Sequence, residues 1–309
     1  MSYTGLQIGS LGSSTTRDWE NQFHVWGSPP GQREQTRYEN AVKEVRAAIN
    51  ASAKLNRRNI RVFVQGSYRN RVNVRQDSDV DIGVECEDVM FSQLPEGKTK
   101  ADFGITPSDY SYVQFKNEVA EALVDYFGYG VVTRGDKAFD IKATQRQVEA
   151  DVAPFFQHRR YKADGTFHQG VELHPDNGGS IINWPEQHYS GGVDKHSRTS
   201  DRFKKVVRIV KCLRNEMDEK GRAAAKPIPS FFIECLVFNT PNSLFGNTKW
   251  RDDVMGVLAY ISANTASDQL CSQWVEVSGF KWLFRSGQKW TRQQAHDFAN
   301  AAQAYILVG

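Results

Sequence analysis

The chain has 309 residues, of which 39% are hydrophobic and 24% charged, and its net charge is +3. This length suffices for one large or two modest domains with hydrophobic cores, and the small charge argues against long duplex nucleic acid as a partner. No apolar run is long enough to span a bilayer, and the first residues lack the pattern of a signal peptide. The four cysteines lack C-x-x-C spacing, so we expect a cytoplasmic protein with free thiols rather than a zinc ribbon or a disulfide framework.

The first part of the chain predicts a mixture of helices and strands. After an irregular lead-in over residues 1–32, apolar residues at helical spacing predict a helix over residues 35–55. Alternation of apolar and polar residues predicts strands over residues 59–68 and 77–86. A further helix is predicted over residues 112–127.

The second part changes character along its length. Three short strands are predicted over residues 130–156, followed by a polar, glycine-rich stretch over residues 158–200. Residues 201–217 predict an amphipathic helix, and residues 230–238 are apolar all round, which favours a buried helix. The remainder reads as mainly helical, so the plan is a mixed α/β first part and a helical second part.

Acidic residues occupy one face of a predicted strand. Asp79 and Asp81 are two residues apart, so their side chains project from the same face. Two carboxylates at that separation repel unless a cation lies between them, and oxygen ligands suit Mg²⁺. Asp151 alternates with apolar residues in "QVEADVAPFF" and projects to the side that could meet the first pair. If these strands share a sheet, the three carboxylates form the geometry of a two-metal site for phosphoryl transfer.

A plainer interpretation remains open for each part of this pattern. Asp-x-Asp alone is more often solvated surface than a metal site, and Gly66-Ser67 alone is a turn. The order of the features favours function: an apolar strand, Gly-Ser, a loop, Asp-x-Asp on a second strand, and a third acid on a later strand.

"GSYRN…DSDVDIGV" followed by "EADV" resembles the polymerase-β-like nucleotidyltransferases. Residues 181–214 and 229–241 are also similar to the bacterial cGAS/DncV-like nucleotidyltransferases of clade E, which make cyclic di- or trinucleotides as antiphage second messengers. The resemblance implies an α+β fold with two lobes and a central active-site cleft. Residues 1–200 would form the nucleotidyltransferase core, a mixed and mainly antiparallel sheet flanked by helices, including a long N-terminal helix. Residues 201–309 would form a helical domain of the 2′–5′-oligoadenylate-synthetase type that completes the nucleotide pocket.

The resemblance also implies roles for the acidic residues. Asp79 and Asp81 would hold two Mg²⁺ ions, with Mn²⁺ able to substitute. Asp151 would complete the catalytic metal site and favour deprotonation of the attacking ribose hydroxyl. One departure from many relatives is the absence of a loop threonine, since Val72 and Val74 stand where it is expected.

Other residues would bind the nucleotides by the same resemblance. Gly66 and Ser67, with Gln65 beside them, would bind the donor triphosphate through backbone N–H groups and a hydroxyl. Lys204, Arg208 and Lys211 fall on one helical stripe. A solvated face is the ordinary interpretation of such a stripe, but the family places a lysine of this helix on the triphosphate, which we assign to Lys211. Ser230 matches a hydroxyl at the same phosphates.

Three residues bear on the choice of base. Gln288 and Trp290 fit an Arg/Gln-x-Trp pattern of pyrimidine-using relatives, and a carboxamide can both donate to and accept from uracil while an indole stacks. The plain alternative for Trp290 is a packing role, because this region is rich in tryptophan. Asn183 matches an asparagine of the acceptor pocket, although a turn asparagine is about as expected. Together they favour UTP at both positions and cyclic di-UMP as product, with a mixed uracil–adenine product second.

Alternative functions and partners follow from the same residues. A nucleotidyltransferase that modifies RNA or protein would keep the three acids but need a docking surface. A silent nucleotide-binding module is disfavoured because all three carboxylates are present. We expect a cytoplasmic bacterial monomer that uses NTPs and contacts neither a membrane, long nucleic acid nor the downstream effector. Gly309 would permit conjugation of the C-terminus, but an ordinary frayed end is favoured.

Overall fold

A computed structural model describes residues 17–29, 31–74, 79–143, 149–285 and 287–308. Within these ranges the α-helices are α1 (Trp19–Trp26), α2 (Gln32–Ala51), α3 (Gly66–Asn70), α4 (Tyr112–Phe127), α5 (Pro185–Arg198), α6 (Phe203–Glu219), α7 (Ser230–Phe238), α8 (Trp250–Asn264), α9 (Asp268–Cys271) and α10 (Arg292–Val308). Single turns of 3-10 helix lie at Ala101–Phe103 and Asn242–Leu244. No described helix is both long and apolar enough to cross a bilayer.

The described strands form one seven-stranded sheet. They are β1 (Ile60–Val64), β2 (Val80–Gln93), β3 (Val132–Arg134), β4 (Phe139–Ile141), β5 (Ala150–Tyr161), β6 (Phe167–Leu173) and β7 (Ile181–Asn183). The order is β1-β2-β5-β4-β3, while β6 pairs with the second half of β5 and β7 pairs with β6. Among the strand pairs of the described residues, only β2 with β5 is parallel, so the predicted mixed and mainly antiparallel sheet is confirmed.

The sheet is covered on one face by α2 and α4, because alternating apolar residues point there. Val80, Ile82 and Val84 of β2 are fully buried and share one core with apolar residues of both helices. Burying each such side chain contributes about 1.5–3 kcal/mol. On the other face a Cβ at Gly83 would lie 2.3 Å from Cζ of Phe63, so glycine makes room for that ring.

A second core belongs to the helical half of the chain. The predicted stripe of α6 is confirmed, because its members are all at most 1% exposed: Phe203, Val206, Val207, Val210 and Leu213. The predicted buried helix is α7, which packs in the same core with residues of α8 and α10. The two cores lie on either side of a cleft, as the bilobed prediction required.

The lead-in expected to be irregular contains α1, so that prediction is wrong. Trp19 and Phe23 of α1 are buried in the core of the helical half, not against the sheet. Glu20 accepts a hydrogen bond of 2.8 Å from the backbone N–H of Trp250. α1 therefore packs with the helical half of the chain although it precedes the sheet in the sequence.

The stretch over residues 158–200 is also more regular than its composition indicated. It contains the end of β5, the strands β6 and β7, and helix α5. Its polar residues lie at strand edges and at the cleft. Apolar and polar residues need not alternate there, because a hydrophobic core does not impose that alternation at these positions. Gly170 is required for the pairing of β6 with β7, because a Cβ there would lie 2.6 Å from the carbonyl oxygen of Asn183.

An acidic residue of α6 ties both ends of the described chain together. Arg17 Nη2 donates to Glu216 Oε2 at 2.8 Å, and the Tyr305 hydroxyl donates to Glu216 Oε1 at 2.5 Å. The hydrogen bond from Arg17 lowers the pKa of Glu216 to about 2, although partial burial opposes it. The carboxylate is therefore stabilised in its charged form by folding.

We expect Glu216→Gln to lower the free energy of unfolding by about 1 kcal/mol at pH 7, a value discounted for solvent screening. Because the folded-state pKa is depressed, this contribution is complete above the ordinary value of 4.5 and is lost as the pH falls towards 2. Urea denaturation from pH 7 to pH 3 tests this, with Asp218→Asn on the same helix as an exposed control. A difference that does not change with pH would refute the charge explanation.

Candidate active site

A cavity of about 750 Å³ lies between the sheet and helices α6 and α7. Eleven of the thirteen predicted site residues line it: Gln65, Gly66, Ser67, Asp79, Asp81, Asp151, Asn183, Lys211, Ser230, Gln288 and Trp290. Lys204 and Arg208 do not. The structure therefore brings residues from well-separated parts of the sequence to one concave site of the size that small-molecule ligands occupy.

The predicted carboxylates meet because β2 and β5 are neighbours. Asp81 stands directly opposite Asp151 in the parallel ladder, so both side chains project from the same face. Asp79 precedes β2 by one residue and lies on that face too, two residues from Asp81. The predicted convergence on one sheet is confirmed.

A fourth carboxylate, Asp140, was missed by the sequence analysis. It lies on β4 directly opposite Asp151 in the antiparallel ladder. Burial raises the pKa of Asp151 to about 7, and the neighbouring charges of Asp140, Asp81 and Asp79 add to the effect. The signal was present in the sequence, because Asp140 sits between the buried Phe139 and Ile141 as Asp81 sits between Val80 and Ile82.

The acidic face fits a divalent cation by its charge and its chemistry. Carboxylate oxygens are the ligands that Mg²⁺ prefers, and several carboxylates this close need a positive charge among them. Among the described residues, no three acidic, histidine or cysteine side chains already enclose a common point. The residues fit a metal that completes its shell with water and ligand oxygens, which is the usual habit of Mg²⁺.

Gly66 begins α3 and lies against the acidic face. Its φ is +65°, and a Cβ would lie 1.9 Å from Oδ2 of Asp81. The N–H of Gln65 donates to the backbone oxygen of Asp81 at 2.9 Å, which fixes the loop to β2. The Gly-Ser pair is therefore more than a turn, because its backbone lies so close to the Asp81 carboxylate that no side chain fits at residue 66.

The opposite wall of the cavity carries a buried lysine. Lys211 of α6 is 1% exposed. Glu234 of α7 also lines the cavity and is paired with His188, whose Nε2 lies 2.9 Å from its Oε1. Burial alone would raise the pKa of Glu234, but His188 and the charges of Lys211 and Lys204 outweigh it and lower the pKa. Neither His188 nor Glu234 was singled out from the sequence, because a buried hydrogen-bonded pair leaves no periodic signal.

Ser230 begins α7 beside this pair. Its hydroxyl accepts a hydrogen bond of 2.8 Å from Nη2 of Arg214. The first residue of a buried helix is thereby held at the cavity wall.

Two residues of the predicted stripe do not reach the cavity. Arg208 is buried, and its guanidinium donates to the carbonyl oxygens of Gly27, at 3.0 Å from Nε, and of Arg71. Burial lowers the pKa of Arg208 to about 10. Lys204 is 7% exposed, and its Nζ lies 5.8 Å from the centre of the Tyr189 ring. Successive turns of α6 meet different neighbours, so the stripe does not face the cavity along its whole length, and the contacts of Arg208 are structural.

Arg208→Met is expected to lower the free energy of unfolding by about 3 kcal/mol, because the carbonyls of Gly27 and Arg71 would lose their buried donors. Arg198→Met serves as control, since that exposed arginine makes only a 3.4 Å contact to Asp194 and should cost less than about 0.5 kcal/mol. Urea denaturation measures both variants. Equal effects of the two would contradict the structural role.

The three candidates for contact with the base all line the cavity, but their side chains differ in how firmly other protein groups hold them. Trp290 stacks on Phe232 at 5.0 Å and 16°, and its Nε1 donates to Leu283 at 2.9 Å. Trp290 therefore packs within the protein, although its ring also lines the cavity. Asn183 is the last residue of β7 and lines the same cavity. Gln288 has both amide hydrogens directed to protein oxygens, so it does not offer a donor to a base as the sequence analysis assumed.

Lysines missed by the sequence analysis also line the cavity. They are Lys137 in the β3–β4 turn, Lys281 and Lys289. The ammonium group of Lys289 beside it lowers the pKa of Lys137, and partial burial contributes. Two cations held together at the cavity favour a polyanionic ligand.

Comparison with known proteins gives similarity along nearly the whole chain. The family model of the cGAS/DncV-like nucleotidyltransferase C-terminal helical domain matches residues 190–307. The cyclic dipyrimidine nucleotide synthase CdnE of Legionella pneumophila is 43% identical over 94% of this chain and 98% of its own. The cyclic dipyrimidine nucleotide synthase CdnE of Cecembia lonarensis is 39% identical over 90% of this chain and 95% of its own. The structure of Rhodothermus marinus CdnE c-UMP-AMP synthase with Apcpp and Upnpp has a TM-score of 0.83 at 28% identity, covering 94% of this chain and 96% of that one.

Proposed function

Because the chain belongs to clade E of the cGAS/DncV-like nucleotidyltransferases, we propose that it converts two UTP molecules into cyclic di-UMP with release of pyrophosphate. The relatives support the coarser activity, a nucleotidyltransferase that makes cyclic dinucleotides. The observation that carries the proposal is the arrangement of the cavity. Asp79, Asp81 and Asp151 lie on one wall, while Lys211 and Ser230 lie on another.

In the proposed reaction, different residues of the cavity bind the triphosphate and the metal. Ser67 and the backbone at Gly66, with Lys211 and Ser230 across the cavity, bind the triphosphate of the donor UTP and aim its α-phosphorus at the acceptor ribose. Mg²⁺, or Mn²⁺ in its place, would be held by the three aspartates and would stabilise charge on the phosphoryl oxygens.

The ribose hydroxyl of the acceptor attacks the donor α-phosphorus, and the bond to the pyrophosphate oxygen breaks. Asp151, on the same wall as Asp79 and Asp81, would favour deprotonation of that hydroxyl. The linear dinucleotide then turns over in the cavity, and a second attack of the same kind closes the ring and releases a second pyrophosphate.

Uracil at both positions is supported by two observations. Both relatives at about 40% identity are named as dipyrimidine synthases. Trp290 is fixed against Phe232 at the cavity wall, which limits the room for a larger purine. A mixed uracil–adenine product is the second candidate, because the Rhodothermus marinus enzyme with the similar fold is a c-UMP-AMP synthase.

The proposal extends to the biological role. As a member of its family, the protein would work in the bacterial cytoplasm as a monomer and supply a second messenger for antiphage (CBASS) signalling to an effector that it does not contact. The position of Gly309, where conjugation was considered, lies outside the described residues.

Incubation of the purified protein with each NTP pair and Mg²⁺, followed by mass spectrometry, tests the proposal. We expect cyclic di-UMP from UTP alone and none from the Asp79→Ala/Asp81→Ala variant. A uracil–adenine product would replace our assignment with the second candidate. Nucleotide addition to RNA or protein without a cyclic product would refute the proposed function.

A further inference from the structure

The orientation of the Gln288 amide is determined by its two neighbours. Its Nε2 lies 2.9 Å from Oε1 of Glu276 and 2.9 Å from the carbonyl oxygen of Trp282. Both neighbours can only accept hydrogen bonds, and only the NH₂ end of a carboxamide carries two hydrogens. Turning the amide over would set its oxygen against two other oxygens, so the protein specifies which end faces inward.

Glu276 is held firmly enough to impose this orientation. It is 8% exposed, and it lies in a hairpin closed by the pairing of Val275 with Trp282. The side chain of Asn239 clamps that hairpin to the end of α7, donating to the carbonyl of Val275 at 2.7 Å and accepting from its N–H at 3.0 Å. On the outer side, a Cβ at Gly191 would lie 2.4 Å from the carbonyl oxygen of Val277, so α5 packs directly against the hairpin.

The remaining end of the amide is the oxygen, and Gln288 lines the cavity. Within the described ranges no hydrogen bond from a protein donor to this oxygen is found. The cavity therefore presents an acceptor beside Trp290, where a base would stack. Uracil carries an N–H at N3 and can donate to such an acceptor, whereas cytosine carries a lone pair at N3 and cannot.

We infer that Glu276 is a specificity-determining residue that, by fixing the amide of Gln288, makes the site select uracil over cytosine. This inference rests on the proposed use of a pyrimidine nucleotide at this site. Glu276 also lines the cavity, but its role here is that of a positioning residue, because it acts through its hydrogen bond with Gln288. Leaving the amide oxygen and cytosine N3 facing each other unpaired should weaken binding about tenfold to a hundredfold.

Isothermal titration with nonhydrolysable UTP and CTP analogues in the presence of Mg²⁺ tests this without turnover. The wild-type protein should bind the UTP analogue about tenfold to a hundredfold more tightly. In Glu276→Gln the new amide can donate as well as accept, so only the Trp282 carbonyl still opposes turning over of the Gln288 amide, and the ratio should fall at least about threefold. Glu276→Asp still only accepts and should keep most of the preference, although both affinities drop.

A double-mutant cycle shows whether Glu276 acts through Gln288. In a Gln288→Ala background, adding Glu276→Gln should leave the UTP-to-CTP ratio unchanged. The inference is overturned if the wild type binds both analogues equally, if Glu276→Gln keeps the full preference, or if Glu276→Asp loses it completely. Failure of the proposed function is distinguishable, because it removes the cyclic product while the binding ratio and its dependence on Glu276 persist.

Discussion

Replacing Asp81 by asparagine is expected to reduce product formation by about a thousandfold or more. Asp81 sits at the centre of the acidic face, opposite Asp151 and two residues from Asp79. An amide has nearly the same shape as the carboxylate but carries no charge, so the variant would bind metal weakly and leave developing charge on phosphorus without compensation. Mass spectrometry of the products from UTP measures the loss.

The same variant should be at least as stable as the wild type when metal is absent. Asp81→Asn removes a like charge beside Asp151, whose pKa is raised by burial and by its acidic neighbours. Thermal unfolding in EDTA checks this, with Asp88→Asn as control, because Asp88 is an exposed acid farther along β2. A lower melting temperature that parallels the lost activity would mean that misfolding, not chemistry, explains the effect.

Gly66→Ala is expected to reduce product formation at least a hundredfold. The methyl group would have to occupy the space of the Asp81 carboxylate, at 1.9 Å from Oδ2 and 2.8 Å from Cγ. Either the carboxylate leaves its position on the acidic face or the start of α3 moves away from it. Both displacements separate the groups that must meet at one phosphate, and misplacement by about 1 Å can cost a hundredfold in rate.

Gly104→Ala provides a matched control for the backbone contribution. Gly104 has a φ of +64°, almost the same as Gly66, but nothing lies within 4 Å of a Cβ there. Placing alanine in this conformation costs about 1–2 kcal/mol of stability and should leave activity intact. If both variants lose activity equally, steric conflict with Asp81 is not the reason that residue 66 is glycine.

The acidic face was predictable because strand periodicity determines where neighbouring side chains point. Two aspartates at i and i+2, with apolar residues between them, could lie on only one face. The pairing of β2 with β5 brings Asp151 opposite, and the apolar alternation around Asp151 had already indicated its side. Asp140 shows where this reasoning stops. Its strand has only three residues, and the local pattern does not say that β4 pairs with β5 and brings Asp140 opposite Asp151.

The stripe on α6 shows a different limit. Spacing correctly placed Lys204, Arg208 and Lys211 on adjacent turns, but spacing does not say which neighbour each turn meets. Arg208 meets the carbonyls of Gly27 and Arg71, whereas Lys211 meets the cavity. Similarly, the amide of Gln288 was taken as available to a base, because the hairpin that occupies its hydrogens is a tertiary feature.

The packing of α1 has a consequence for the order in which the two lobes assemble during synthesis. Among the described helices α1 is synthesised first, yet Trp250, whose N–H donates to Glu20, lies 230 residues later, and the Tyr305 ring can contact Trp19 edge-on only once α10 is present. The sheet lobe can form as its strands emerge, while the helical lobe must wait for both ends of the chain. We expect a fragment that starts at residue 190, where the family match begins, to expose the apolar residues that Trp19 and Phe23 cover and therefore to fold poorly on its own.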